Sequence, residues 1–433
     1  MADEQLAGRR TLRQLAAISP SVAATVASAA VVFAAALLRQ AGIPKIETLW
    51  AEDGTVFLQC AYDHGPLGCV GQAYQGYLHL VPRIIAAAAT AVPPTAVAAT
   101  IAILAALFAA GAATIAGRSI ADATSSQLAG FLGAVGLGLV WQAGREILGN
   151  AANLHWVLFG SATIAIVCSW LGARISPWTI GLAAITGLTS AFSPLIAIFS
   201  AGAVVMGRPR ALRLFIVSTC AAIVQAGVEL TSHRETPAVP GVPADRLLVF
   251  FRDDVIRHGF FGQAPMPAGL VVPVLVVLAL AGVAFAHRDR RVAVIGVAFG
   301  VAALVATGIA LPLVSIVLNR AANPRYAYLP DSMMVAALAV VGGFLAAGLA
   351  RGSPSSRRCA RLVMPSLVAV VGVGFALSFR LEARASGGPD VPVEIRAAAA
   401  TCSSGGFATI LIAPSPATDT WVVAIPCARL VTP

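Results

Sequence analysis

The chain has 433 residues, 58% hydrophobic and 11% charged, with a formal net charge of +10. Water-soluble domains carry about 25% charged residues, so this composition excludes a soluble globular protein, and the continuous apolar runs exclude an alternating outer-membrane barrel. The basic residues cluster between apolar runs, where they report membrane orientation and argue against a nucleic-acid partner.

Arg9, Arg10 and Arg13 precede an apolar run at 20–38. That run is long enough to span and has no convincing cleavage site, so it is predicted to be a retained first helix with a cytoplasmic N-terminus. Further spans are predicted at about 95–117, 124–142, 154–172, 178–191, 194–206, 211–230, 268–286, 292–317, 331–350 and 362–379. The expected fold is therefore an all-α polytopic membrane protein of about eleven transmembrane helices. Arg118, Arg174, the cluster Arg208, Arg210 and Arg213, the run His287 to Arg291 and the run Arg351 to Arg361 then face the cytoplasm. Outside lie 39–94, 143–153, 231–267, 318–330 and a tail from 380. Residues 78–92 carry His79, Pro82 and Arg83 and are short, so they are expected to lie as an interfacial helix on the outer surface. Residues 178–206 are divided at Ser193-Pro194 because Arg174 and Arg208 belong on one side. If both choices fail together, the loop 143–153 moves inside. The chain thus divides into a membrane domain, 1–379, and a small extracytoplasmic tail, 380–433, with strands expected at 407–413 and 421–425.

Lys45 is the only lysine among 29 basic residues, which with the abundant alanine indicates a high-GC bacterial genome. Cys60 and Cys69 share the first outer loop, and Cys402 and Cys427 share the tail. An extracytoplasmic setting tolerates disulfides, so both pairs are expected to be bonded. Cys168, Cys220 and Cys359 are expected to be free, and no spacing indicates a zinc site.

Five polar constellations lie in the outer loops. Glu52 and Asp53 sit between Trp50 and an apolar run, where Asp53 opens an amphipathic helix running to about Tyr62. Asp53 there reads either as an N-cap or as an ionised base held at a low pKa by the helix start. Glu146, Asn150 and Asn153 recur at i, i+4 and i+7, which places them on one face of a helical turn ahead of His155. They suit either helix capping or hydrogen bonding to sugar hydroxyls. Arg320, Arg325 and Tyr326 lie outside against the positive-inside bias, which points to an anionic partner or to headgroup phosphates. Residues 250–261, with Asp253, Asp254, Arg257 and His258, read as a surface helix whose charges pair among themselves or border a substrate groove. His79 and Arg83, at i and i+4 beside Tyr74 and Tyr77, either bind a lipid phosphate or snorkel.

The segments W-A-E-D-G-T-V-F-L, Y-Q-G-Y-L-H-L-V-P-R, E-I-L-G-N-A-A-N-L-H-W and N-P-R-Y-A-Y-L-P resemble a group of bacterial membrane proteins related to the GT-C class of glycosyltransferases. A first span followed by an acidic pair in a long outer loop is similar to that class as well. The resemblance implies a GT-C-like bundle in the inner (cytoplasmic) membrane with an active site on the extracytoplasmic side. It implies a polyprenyl-phosphate-linked sugar as donor and an envelope glycan or glycolipid as acceptor. The base would be Asp53, with Glu52 as neighbour or substitute. Arg325 would hold the donor phosphate, with Arg320 or Arg257 assisting. A divalent cation is compatible with the same chemistry. The chain lacks the large extracytoplasmic domain of many members of the class.

No Walker, Rossmann or H-E-x-x-H pattern is present, which argues against a nucleotide-driven activity. The rival readings are a lipid or glycolipid flippase and a non-catalytic envelope-assembly subunit. Internal repeats and ionisable residues at span centres would favour transport. The polar residues gather in the outer loops instead.

Overall fold

The computed structural model describes residues 19–232, 243–257, 271–287, 290–319, 323–377, 379, 383, 385–402, 406–414 and 421–430. Arg9, Arg10, Arg13, His258 and Arg320 lie outside the described residues, as does the side chain of Arg257. Among the described residues six helical segments are long and apolar enough to cross a membrane: Pro20–Leu38, Pro94–Thr124, Ala211–Thr231, Arg291–Val317, Arg325–Leu349 and Pro354–Ala376. The protein is an all-α, multi-pass membrane protein.

Helix α1 (Pro20–Leu38) starts at Ser19, whose hydroxyl accepts from the Val22 amide. The loop after α1, expected from the sequence to be the first outer loop and so called below, holds a π-helical turn at Asp53–Leu58, then α2 (Gln59–His64), α3 (Pro66–Val70) and a two-residue ladder between β1 (Ala73–Tyr74) and β2 (Tyr77–Leu78). Next comes α4 (Leu80–Ala89). Its 10 residues extend about 15 Å, half the hydrocarbon thickness of about 30 Å, so it cannot cross.

Helix α5 (Val97–Thr124) runs on past the predicted end at 117 and stops at Ser125, which is left-handed at φ 57°. Helix α6 (Gln127–Leu139) has 13 residues, shorter than the predicted span 124–142. It is threaded with glycine and packs among α1, α5 and α14 (Tyr328–Leu349). A Cβ on Gly130 would stand 2.5 Å from the Gly117 carbonyl oxygen, and one on Gly117 would stand 2.5 Å from the Gly130 oxygen. Helices in lipid gain little from hydrophobic burial and associate through such close backbone contact.

Helix α7 (Leu154–Trp170) leads to α8 (Pro177–Gly187) and α9 (Ser193–Val205), two short helices on either side of the break expected near Ser193-Pro194. Helices α10 (Ala211–Thr231), α11 (Ala244–Val249), α12 (Val271–Ala286) and α13 (Arg291–Asn319) follow, with a π-helical stretch at Phe250–Arg257 after α11. Of the six long spans the one containing α14 is the most enclosed, with α14 lying against α6, α12, α13 and α15 (Pro354–Leu377).

The two ends of the bundle differ in chemistry. Asn153 and Arg325 stand at the starts of α7 and α14, while Trp170 and Arg351 stand at their other ends. At that second end Arg208 donates to the Trp170 carbonyl, Arg210 to the Ile175 carbonyl at 3.3 Å, and Arg351 lies 3.2 Å from His287. At the first end the buried Arg39 donates to the Gly138 and Val140 carbonyls, both at 3.0 Å, closing the C-terminus of α6.

The tail also sits at the first end. It adds α16 (Val391–Thr401), which the sequence reading had not expected, and an antiparallel pair, β3 (Phe407–Leu411) with β4 (Val422–Pro426). Cys402 is bonded to Cys427 and Cys60 to Cys69. The sheet lies on the first outer loop: the Ala413 amide donates to the Leu49 carbonyl at 2.9 Å, Thr55 to the Val422 carbonyl at 2.7 Å, and the Ala424 amide to Gln59 at 2.7 Å.

The Gly117–Gly130 crossing gives the first expectation. Gly130→Leu should destabilise the bundle by about 1–3 kcal/mol. A thermal-unfolding series in detergent reads it, and an unchanged midpoint contradicts this packing.

Candidate active site

The site is built on Asp53. The preceding Trp50 carbonyl accepts from the Gly54 amide at 3.0 Å as the chain turns, and Asp53 is left 2% exposed. Its carboxylate does not cap its own helix. Oδ1 accepts from the Ala152 amide at 2.7 Å and Oδ2 from the Ala151 amide at 3.0 Å. Those amides precede α7, so the acid of the first outer loop is received by the start of a helix about a hundred residues away, an ordinary anion-binding arrangement. The side chain of Ile412 covers the turn from the tail: a Cβ on Gly54 would stand 2.4 Å from its Cδ1.

The low pKa expected of an N-capping Asp53 is therefore corrected. Burial pushes its carboxyl up to about 7, and Glu52 adds to the rise, while the Ala152 and Ala151 amides and Lys45 pull it back. Glu52 is half-buried, and its Oε2 has no hydrogen-bond partner among the described residues.

The 143–153 segment is not the continuous helical face expected. A π-helical turn at Ala143–Ile147 gives way to extended Leu148 and to Gly149 at φ +74°. The chain folds back so that Asn150 and Asn153 both donate to the Glu146 carbonyl, Asn153 at 2.9 Å. The two asparagines thus brace the turn. His155 bonds through Nδ1 to the Ala152 carbonyl at 2.9 Å, behind the amide that holds Asp53.

Lys45 completes this centre and was missed as a site residue. It is 4% exposed, and its Nζ donates to Asn150 Oδ1. Burial lowers its ammonium pKa, against the pull of Asp53 and Glu146. Its being the only lysine was the signal in the sequence.

Arg325 does not stand free as expected of a phosphate ligand. It pairs with Glu146 Oε1 at 3.2 Å and lies over the Tyr326 ring at 5.6 Å. The pair ties the 143–153 turn to the start of α14. Since Asp53 ties the same turn to the first outer loop, the three segments and the tail occupy one end of the bundle.

Arg83 does not snorkel. It is 2% exposed, lies over the Phe57 ring at 5.3 Å and donates through Nη2 to the Ala73 carbonyl at 3.3 Å. Its Nε and Nη1 are buried with no hydrogen-bond partner among the described residues. Tyr77 stacks on His79 at 3.9 Å, and His155 stands edge-on to both at 6.2 Å. Burial pushes His79 well below the usual histidine range, and the neighbouring His155 and Arg83 add to this, so it is neutral at pH 7. The Trp156 indole, against His155 at 4.8 Å and Tyr326 at 5.7 Å, also has a buried Nε1 with no partner among the described residues. Buried donors left open are rare in native proteins, and those of Arg83 and Trp156 stand at the same end of the bundle.

Two further acids lie elsewhere. Asp253 pairs with Arg252 at 2.8 Å, as expected of a self-paired surface segment. Asp331, on the first turn of α14, is fully buried, and neither oxygen has a hydrogen-bond partner among the described residues. Nothing in the structure explains that burial. Among the described residues no group of three or more His, Cys, Asp or Glu side chains converges to hold a metal ion.

Comparison with protein-family models, with curated proteins and with solved structures finds no match to this chain.

The buried Asp53 generates a pH expectation. In the unfolded chain it ionises near 3.8, in the fold near 7. Between these values the unfolded chain is the more deprotonated, so Asp53 makes stability fall as pH rises through the interval. The wild-type unfolding temperature should therefore drop relative to that of Asp53→Asn over the same range. A difference constant with pH contradicts a buried, titrating Asp53.

Proposed function

We propose that the chain is a GT-C-like membrane glycosyltransferase. It moves a sugar from a polyprenyl-phosphate donor to a hydroxyl of an envelope glycan or glycolipid, on the extracytoplasmic face of the inner membrane. The observation that carries this reading is a buried carboxylate ionising near neutrality and, lying over Phe57 of the same π-helical turn, an arginine with two unpaired N–H donors, at the bundle end remote from the arginine clusters. Both disulfides lie at that end, which supports its facing outward. The arginine clusters at the other end support its facing the cytoplasm.

The chemistry asks for two things. Asp53 takes the proton of the acceptor hydroxyl as its oxygen bonds to the sugar's anomeric carbon. The bond from that carbon to the phosphate oxygen breaks, and its electron pair leaves on the phosphate, which needs positive charge. Each oxygen of Asp53 keeps a lone pair beyond the one its amide uses. Arg83 is the better phosphate ligand, because Arg325 is already answered by Glu146, and a buried guanidinium with open N–H groups can donate charge-assisted hydrogen bonds to a phosphate. Arg325 then braces the turn that carries Asn150 and Asn153. Tyr77, His79 and His155 offer neutral ring faces to a sugar.

A lipid-linked donor needs room for its chain. An apolar groove of about 440 Å³ runs between α5, α7 and α8, lined by Leu104, Phe108, Gly111, Leu158, Trp178 and Leu182. It reaches Ile185, three residues before Leu188, whose carbonyl accepts from the Leu80 amide next to His79. It suits an isoprenoid chain.

Transfer by reconstituted protein given a panel of polyprenyl-phosphate sugars tests the reading. Asp53→Asn should lower turnover by about 10²–10⁴-fold, and wild-type activity should rise with pH through about 7 as Asp53 ionises. Arg83→Lys should raise the donor KM more than it lowers kcat, since it keeps the charge but loses the fixed planar donors. Near-normal turnover by Asp53→Asn sinks the mechanism. For the groove, a Cβ at Gly181 meets open space, so Gly181→Leu should fold normally. It should raise KM for long-chain donors and leave short-chain donors unaffected. Equal effects on both place the chain elsewhere.

A further inference from the structure

Lys45 is singular in sequence and in position. Every other basic residue of the 29 is arginine. The one lysine is buried at the junction of the first outer loop with the turn ahead of α7, and only compact chemistry fits there. Gly149 sits at φ +74°, and a Cβ on it would stand 2.8 Å from Lys45 Cε and 3.0 Å from Cγ. The lysine stem therefore runs directly over a bare backbone, and its Nζ reaches Asn150 beyond. Asn150 is the residue before Ala151, whose amide holds Asp53 together with that of Ala152. Glu146 braces Asn150 through its carbonyl and Arg325 through its carboxylate.

We propose that Lys45 is the positioning residue of the Asp53 site: through Asn150 it fixes the two amides that aim the carboxylate, and its positive field favours the ionised base. This rests on the reading of Asp53 as the base. The ammonium suits the role as a compact point charge that responds to burial, whereas a guanidinium keeps its charge and needs room for its fork. The groups that face it are Asp53 and Glu146 by charge and Asn150 by hydrogen bond. Glu52 and Arg325 lie one step out, Glu52 acting on both Asp53 and Arg325. Lys45 gives up no proton in the reaction. It sets where the carboxylate points and at what pH it ionises.

The experiment uses the single lysine. Full-length protein grown on lysine labelled with ¹³C at Cε and ¹⁵N at Nζ gives one lysine side-chain signal by NMR. In the wild type its titration midpoint should lie near 8, well below the ordinary 10.5. Asp53→Asn should move it lower, by about one pH unit, because the carboxylate that favours the ammonium is gone. In the transfer assay Lys45→Met should move the rising limb of the pH–rate profile upward by about the same amount, where a merely structural loss lowers the rate and leaves the limb in place. A lysine midpoint indifferent to Asp53→Asn overturns the proposal, as does an unmoved limb in folded Lys45→Met. If Lys45→Met does not fold, the wild-type and Asp53→Asn titrations decide. If wild-type protein transfers no sugar from any donor, the glycosyltransferase reading fails, and the titrations still decide whether Lys45 and Asp53 are coupled.

Discussion

The bond between Asp53 and the Ala151 and Ala152 amides is the constraint on which the site end depends. A buried carboxylate without partners is expensive, by several kcal/mol or more. The two amides at the start of α7 make the burial tolerable. Because those donors belong to another loop, the first outer loop can bury its acid only where the 143–153 turn is already in place. The turn is held in its own right by Asn150 and Asn153 on the Glu146 carbonyl and by Glu146 on Arg325. The tail sheet then closes over the Asp53 turn through Ile412, Ala413 and Ala424. Loop, turn, α14 start and tail thus form one polar assembly on top of an apolar bundle.

Charge is distributed unevenly within that assembly. Glu146 and Arg325 answer each other, and Asp53 is answered by amides and by the field of Lys45. Arg83 is left with two buried donors open, and Glu52 with one buried acceptor oxygen open. Removing one partner of a buried pair leaves a charge uncompensated, whereas a buried group left open already carries its desolvation cost and can recover it from a ligand. In the proposed mechanism ligand recognition therefore falls to Arg83 and its ring neighbours, and bracing to Arg325.

The helices were legible because long apolar runs have few alternatives in lipid. Six of the predicted spans coincide with helices long enough to cross, and the break near Ser193-Pro194 follows from a proline and from charge placement. The remaining predicted spans are helices too short by themselves to establish a crossing. Helix α6 is shorter than the run 124–142 from which it was expected, and hydropathy does not register that its glycines let backbones meet. In the site, Asp53, Glu146, Asn150 and Arg325 could be picked out as polar residues in apolar surroundings. Their roles could not be, because each depends on a partner distant in sequence. The low pKa expected for Asp53 came from its local helix start, and tertiary burial outweighs that. The snorkelling expected of Arg83 came from an interfacial helix treated alone, and the hairpin carrying Ala73 encloses it. Lys45 was visible only as an anomaly of composition.

The most direct test of the account is a density map of the protein with a polyprenyl phosphate bound. The account predicts the phosphate within hydrogen-bond reach of the open Arg83 donors, Nε or Nη1, at the Asp53 end of the bundle, with the isoprenoid chain leaving between α5 and α8. A phosphate seated among the arginines at the opposite end, by Arg208 and Arg351, would contradict it.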